Sequence, residues 1–317
     1  MPSPRVEANL AFLRAFWNIA RRERYHTVRS AMPSEIELLR LTGVSLEELK
    51  SINISLVSGG FETISTTGNA ALGMLSTEDG QKIQEKCRTQ LLATYEGSLE
   101  QAWASCVREE ACPYMVALVR EMLRYYAPIQ LLPPRKTTTD FIWRGVRIPK
   151  GVVVFQNAQA INHGMCSSAV AISTRAMCQV LLTLKSPLDM SFYGADAEVF
   201  RPDRWLDDID ETTMGKLKPP YHFSYGAGSR GCPAVAISNR LLYASFARLI
   251  LLFRIVGAEP GSGNEPDTHY VTYNRDTTAQ TARVKPYKFR LTPRVNQDSI
   301  DKCFAYSQEV WAADVAL

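Results

Sequence analysis

The chain has no Cys-x-x-Cys pair, no large charge of one sign, no unbroken apolar run, and no internal repeat or low-complexity tract. Each absence excludes something. Its seven cysteines (Cys87, Cys106, Cys112, Cys166, Cys178, Cys232 and Cys303) are odd in number, which argues against a disulfide framework and fits a reducing compartment. With 36 Lys and Arg against 32 Asp and Glu, the net charge of +4 is too small over 317 residues to argue for nucleic acid, though it leaves room for a modest basic patch. The longest apolar stretches, 241–256 and 169–184, are broken by Arg248, Arg254 and Arg175, so neither reads as a spanning helix. The opening Met1-Pro-Ser-Pro-Arg lacks the basic-then-apolar order of a secretory signal. What is present is a chain that is 46% hydrophobic, enough for one large globular domain or two ordinary ones.

The stretch with the most chemistry is Phe223-Ser-Tyr-Gly226-Ala-Gly228-Ser-Arg230-Gly-Cys232-Pro233-Ala234, followed at once by a helical run. Glycine tolerates left-handed backbone, so Gly226 and Gly228 free the chain for a tight turn that brings Cys232 close to a flat ligand. Pro233 stands where a helix would begin, and the unpaired N–H groups and dipole of a helix N-terminus attract the negative charge of a thiolate, a soft ligand for iron. Arg230 can reach an anionic group on the same ligand, and Phe223 would pack over the sulfur. Taken as a bare Gly-x-Gly, the same stretch is an ordinary loop with a buried cysteine. A nucleophilic Cys232 lacks a partner, because His222 is the only histidine near it in sequence and reads as a surface loop residue.

Along the chain, Asn9 to Arg29 combines Leu10, Phe12, Leu13, Phe16 and Trp17 with Arg21, Arg22 and Arg24, an amphipathic pattern that packs on a domain more often than on a membrane. Ser45-Leu-Glu-Glu48 is a capping box, and the periodic run after it predicts a helix to about Leu75. Inside that run lies Ser58-Gly59-Gly60-Phe61-Glu62-Thr63. Two glycines in a helix interior cost about 1 kcal/mol each relative to Ala, a cost expected where something approaches closely. A helix capped near Ser76 to Asp79 runs through Ile83, Leu91, Leu92 and Tyr95, and another covers Pro113 to Tyr125 with Glu121 and Arg124 on one face. Thr137 to Asp140, Trp143 to Gly151 and Val152 to Asn157 predict a small antiparallel sheet. Ala234 to Ile255 reads as a helix, on which Arg240 and Arg248 form a solvated face or, alternatively, a reductase contact. Ala258 to Asp267 reads as a loop, Tyr270 to Tyr273 and Lys288 to Thr292 as short strands, and the stretch from Val295 as a surface tail.

Phe223, Gly226, Gly228, Arg230 and Cys232 in this order resemble the haem-ligating signature of the cytochrome P450 superfamily, departing from it in Ala234, where the family usually has Gly. Other stretches are similar to the same family. Gly59-Gly60-Phe61-Glu62-Thr63 resembles the oxygen-binding kink of its central helix. Glu121-Met-Leu-Arg124, taken with Phe200-Arg-Pro202-Asp-Arg204-Trp205, resembles its buried Glu-Arg-Arg cluster, and Arg135 matches an arginine that reaches a haem propionate. The chain is also similar to fungal phenylacetate hydroxylase-like members. The resemblance implies a mainly α fold with a small antiparallel β-sheet, N-terminally truncated so that it begins near the central helix. It divides the chain into a helical remnant (1–44), a C-terminal haem-binding part (45–294) and a tail (295–317). Residues 164–188 interrupt it, as a retained intron or as a true surface insertion, which loops tolerate.

The function so implied is a haem-thiolate monooxygenase that inserts one oxygen atom of O2 into a small organic substrate, in fungal secondary metabolism or aromatic catabolism. Cys232 would ligate the iron of haem b; Phe223, Gly226, Arg230, Arg135, Gly59 and Gly60 would surround the macrocycle; Glu62 and Thr63 would relay protons. Glu121, Arg124 and Arg204 would brace the cysteine loop, and Ile129 to Pro133 would wall the substrate pocket. Electrons would come from NADPH-cytochrome P450 reductase, on the cytoplasmic side of the endoplasmic reticulum if a full-length form carries an anchor; no nucleic acid is expected. The alternative is a truncated, catalytically inactive fragment that binds haem weakly or not at all.

Overall fold

The periodic run after Ser45 forms one continuous helix, α1 (Leu46–Leu75). It ends where Ser76 N donates to Leu72 O and Gly73 O, and the next residue starts another helix. Thr77 is the N-cap of α2 (Glu78–Thr94): its hydroxyl accepts from Gly80 N, and Glu78 and Asp79 place negative charge at the dipole's positive end. Glu96 and Gly97, both at positive φ, reverse the chain. Ser98 then caps α3 (Leu99–Ser105) by accepting from Gln101 N. Pro113 opens α4 (Pro113–Tyr125) at a position where its missing N–H has no intrahelical partner to lose. These residues belong to a computed structural model that describes 46–143, 145–164, 167–173, 179–185, 193–194, 196–206, 222–228 and 231–315. The amphipathic stretch 9–29, the cap Ser45 and the candidate propionate ligand Arg230 lie outside the described residues.

Short strands follow α4. β1 (Arg135–Lys136) will pair with a later strand, while β2 (Phe141–Trp143) and β3 (Val146–Ile148) form a hairpin in the register Phe141 to Ile148, Ile142 to Arg147 and Trp143 to Val146. β4 (Val153–Val154) lies antiparallel to β1, and α5 (Ala158–Asn162) follows, capped by the Asn157 side chain, which accepts from Ala160 N. The interrupting segment supplies β5 (Ser167–Ser173) and β6 (Gln179–Lys185), which extend the sheet in the order β1-β4-β5-β6. A 3-10 turn at Pro202–Trp205 leads towards the cysteine stretch.

The helix after the cysteine, α6, runs only from Val235 to Leu252, and Phe253–Gly257, expected as its last turn, is instead strand β7 paired with β8 (Phe289–Pro293). The buried Gln84 side chain explains the switch. Its amide donates to Leu75 O and Ile255 O and accepts from Ile255 N, so it acts as a backbone partner for an extended Ile255 and also satisfies the end of α1. Tyr270 to Tyr273, expected as a strand, forms turns with Thr272 N and Tyr273 N donating to His269 O, and the next residue, Asn274, makes an isolated bridge with Val284. The stretch from Val295, expected as a surface tail, contains helix α7 (Gln297–Val315), begun by Asn296, whose side chain accepts from Ser299 N. Ile300 and Cys303 of α7 pack with Trp103 of α3 and Leu252 of α6.

Two units divide the chain: residues 1–62 with 304–317, and Thr63–Cys303, so their boundaries fall inside α1 and inside α7. The core of the second unit gathers Ala71 and Leu75 of α1, Cys87 and Leu91 of α2, Met115, Leu118 and Met122 of α4, and Tyr243, Phe246, Ile250 and Leu251 of α6. Among the described residues α6 alone is long and apolar enough to cross a membrane, but its buried face belongs to this core.

The glycines of α1 and α2 make opposite demands. At Gly59 and Gly60 an added Cβ meets no described protein atom within 4 Å, whereas at Gly80 it would overlap the carbonyl oxygens of Met74 and Leu75. Gly60→Ala should therefore raise stability by about 1 kcal/mol through helix propensity. Gly80→Ala should lower it by about 2–3 kcal/mol through overpacking against backbone. Urea unfolding of both variants checks the opposed signs.

Candidate functional site

The site is built around a carboxylate. Glu121, on α4, is fully buried and accepts five hydrogen bonds: from Arg124 Nε (2.8 Å) and Nη2 (2.7 Å), Arg204 Nε (3.1 Å), Arg201 N (2.8 Å) and Trp205 Nε1 (2.9 Å). Burial alone would push this carboxyl up, but the charges and hydrogen bonds of Arg124 and Arg204 more than reverse that and hold it below the ordinary carboxylate range. Both arginines then spend their other donors on backbone. Arg124 reaches the carbonyls of Asn162, Ala197 and Val199, and Arg204 reaches those of Tyr193, Asp196 and Val199 together with the Asp196 carboxylate. The structure thus brings Glu121, Arg124 and Arg204 together, and the cluster ties α4 to α5 and to the segment 193–205.

Asn162, which the sequence reading passed over, carries this order to the cysteine loop. Its carbonyl accepts from Arg124, its side-chain oxygen accepts from Phe223 N (2.8 Å), and its amide donates to Ser224 Oγ (2.9 Å), which itself donates to Leu123 O. No spacing or residue pattern marks Asn162, because its three partners come from three distant parts of the chain. Beyond Ser224 the loop closes on itself: Gly226 N donates to Phe223 O, Gly231 N to Gly228 O and Cys232 N to Tyr225 O (2.8 Å). Gly226 and Gly228 have φ of +73° and +71°, the left-handed conformation that residues with a Cβ rarely adopt. Gly226 also lies against Leu132, placing one of the expected pocket-wall residues beside the loop. Helix α6 starts at Val235, three residues after Cys232, and Tyr225 OH donates to Asn239 of that helix (2.7 Å).

Cys232 is exposed and free, the only exposed thiol among the described cysteines. Among the described residues no group of three or more His, Cys, Asp or Glu could hold a metal ion. A single accessible sulfur at the end of a glycine turn fits a metal group that brings its remaining ligands with it, as an iron porphyrin does. Phe223 is half-buried beside this loop, and Arg135 is exposed on β1. On α1, Glu62 and Gly59 are exposed while Gly60 and Thr63 are half-buried; one turn further, the Thr66 hydroxyl donates to Ala282 O (2.9 Å), at the end of the turn that follows Asp276.

Two expectations change. His222 is buried rather than on the surface, its ring tilted against that of Tyr225, with Nδ1 accepting from Ser224 N. Arg248 lies over the Trp103 ring and donates to Trp103 O instead of standing on a solvated face, while Arg240 stays partly exposed and pairs with Glu110 and Val107 O.

A family profile described as Cytochrome P450 matches residues 14–164, which includes Gly59 to Thr63, Glu121, Arg124 and Arg135. Phenylacetate 2-hydroxylase of Emericella nidulans is 32% identical over 249 residues, covering 78% of this chain and 41% of the relative. The chain belongs to the cytochrome P450 superfamily. The 3-hydroxyphenylacetate 6-hydroxylase of the same organism is 30% identical over 84% of this chain and 44% of its own length. A zebrafish cytochrome P450 solved with abiraterone shares the fold, with a TM-score of 0.53 at 19% identity over 77% of this chain and 47% of that one. The chain thus spans less than half the length of these P450 relatives. The profile match begins at residue 14, upstream of Ser45 where the resemblance read from motifs starts, and it ends at 164, before the cysteine loop of this P450 chain.

Removing the carboxylate should cost far more than removing the link. Glu121→Ala strands two buried guanidinium groups and should cost about 3–5 kcal/mol. Asn162→Ala should cost about 1–3 kcal/mol, by leaving Phe223 N and Ser224 Oγ short of a partner. Soluble yield and urea midpoints of the two variants check the ranking.

Acid should unfold the P450 chain through two histidines. His163 Nδ1 donates to Gln159 O with its ring stacked 3.6 Å from Tyr270, and Nε2 of both His163 and His222 is buried without a partner. Burial, reinforced by Arg124 and for His222 also by Arg120, pushes each imidazole down to about 3 from 6.5. Between those values the unfolded chain binds protons that the fold refuses. Stability is therefore complete above pH 6.5 and falls on acidification by up to about 1.4 kcal/mol per pH unit for each histidine. Urea midpoints between about pH 7 and 4 should show this slope, and His222→Gln should flatten it by one histidine's share.

Proposed function

We propose that this chain carries the haem-thiolate site of a monooxygenase, with Cys232 as the protein ligand to the iron of haem b. The observation that carries the reading is the free, exposed Cys232 thiol, held at the end of a double-glycine turn and braced through Asn162 to a buried carboxylate. Bound there, the haem would supply O2 activation, with a thiolate ligand pushing electron density onto the metal.

The chain's own residues then bind, orient and exclude water. Cys232 would hold the group; Arg135 and Arg230 would offer positive charge to its carboxylates; Phe223 and Leu132 would cover apolar surface near the loop. On α1 the Thr63 hydroxyl would donate a hydrogen bond at the reacting centre and the exposed Glu62 carboxylate would exchange protons with solvent, while Gly59 and Gly60 would leave room on the same helix. Ile129 to Pro133 form part of the wall against which a small organic substrate is oriented. The names of the two Emericella relatives make aromatic acids of the phenylacetate type the first substrates to try. Electrons come from NADPH-cytochrome P450 reductase.

The reduced, carbon-monoxide-treated spectrum of the chain purified with haem tests this. A strongly red-shifted Soret band is expected, Cys232→Ala should abolish it together with haem retention, and Thr63→Ala should keep the band while diverting electrons to hydrogen peroxide. Equal haem content in wild type and Cys232→Ala would refute the ligand assignment, and no haem in either would favour a P450 chain that does not hold the cofactor.

A further inference from the structure

Strand β6 (Gln179–Lys185) ends the sheet order β1-β4-β5-β6, so β5 occupies one of its edges and, among the described residues, no strand occupies the other. Such an edge presents backbone N–H and C=O groups to any further strand, and folds usually blunt it with a bulge, a proline, a central charge or a very short strand. β6 has none of these. Its register with β5 runs unbroken over seven pairs, from Ser167 with Lys185 to Ser173 with Gln179. Its sequence, Gln-Val-Leu-Leu-Thr-Leu-Lys, holds no proline and one charge, at the end.

Alternation sorts these residues. Opposite residues share a face of the sheet, so Val170, Ile172, Val180, Leu182 and Leu184 fall on one face with Ser168, while every residue on the other except Leu181 is small or polar. A strand of matching length and pattern is a second β6. Antiparallel pairing about a twofold axis through Leu182 engages all seven residues: Gln179 with Lys185, Val180 with Leu184, Leu181 with Thr183, and Leu182 with its own counterpart. Any other symmetric antiparallel register pairs fewer. Like charges do not meet, because the one charge in the strand lies opposite Gln179, and the apolar row of Val180, Leu182 and Leu184 continues across the axis. The opposite end of the sheet is a poorer partner: β1 is two residues long, so head-to-tail stacking would pair two residues where self-pairing engages seven.

We propose that β6 is a self-association edge, through which two copies of this chain join their sheets into one. The contact does not depend on the haem reading, and its test needs no cofactor. Sedimentation equilibrium of the full chain over a range of concentrations should show a reversible dimer. Leu182→Lys sets two ammonium groups opposite one another at the axis and should raise the dissociation constant about tenfold or more, and Leu182→Glu should do the same with two carboxylates. An equimolar mixture of the two variants should dimerise again, a recovery that a merely misfolded variant cannot show. Val271→Asp, at an exposed apolar residue elsewhere, should leave the dimer unchanged. A monomeric wild type, a dimer that survives Leu182→Lys, or a mixture that stays monomeric would overturn the proposal. Growth beyond the dimer would do so too, because an isologous contact closes on itself.

Discussion

A single buried negative charge governs this structure. Stripping a carboxylate of water costs several kcal/mol even after relaxation, and Glu121 offsets that only because five donors converge on two oxygens. The donors are two guanidinium groups, a backbone N–H and an indole, from α4, from Arg201 and from the turn 202–205. None of these segments can move without leaving the carboxylate short. The arrangement is best regarded as a device for specificity rather than stability, since an apolar replacement of the same volume could hold the segments together but would not fix their register.

The chemistry hangs from that node by a chain of hydrogen bonds rather than by packing alone. Arg124 fixes the Asn162 carbonyl, Asn162 fixes Phe223 and Ser224, and the glycine turn then determines where Cys232 emerges. Each step is short and directional, so the position of the Cys232 side chain is set by hydrogen bonds behind it. The sulfur itself stays exposed while everything behind it is buried. Rigidity and access are therefore divided between consecutive parts of one loop.

How much of this was legible in the sequence depends on whether the signal was local. Helix starts at Thr77 and Pro113 follow from capping chemistry, whereas the short helix capped by Ser98 was passed over, and the left-handed Gly226 and Gly228 follow from the absence of a Cβ. The family resemblance supplied the Glu121, Arg124 and Arg204 grouping, which spacing alone would never have joined across eighty-three residues. Asn162 and Gln84 were missed for a common reason: each is a buried polar side chain whose partners are remote in sequence, and such burial leaves no periodic trace, while His222 was misjudged because nothing local marks a loop histidine as buried. β7 was taken for the end of a helix because Phe253 to Val256 continues the apolar run of α6, and only the amide of Gln84 tells the two apart. The C-terminal helix escaped notice because its buried positions among the described residues, Cys303 and Ser307, are few and its start rests on one asparagine.

The sequence distance between Glu121 and Arg204 has a consequence for biosynthesis. While the polypeptide leaves the ribosome, Glu121 and Arg124 emerge with only each other for company, and the second guanidinium follows eighty-three residues later. In that interval α4 cannot be buried without trapping an under-coordinated carboxylate, so its apolar face stays available to chaperones. The thiol, arriving later still, reaches a braced loop only after the whole span has been translated, which makes the surroundings of Cys232 among the last parts of the fold to be fixed.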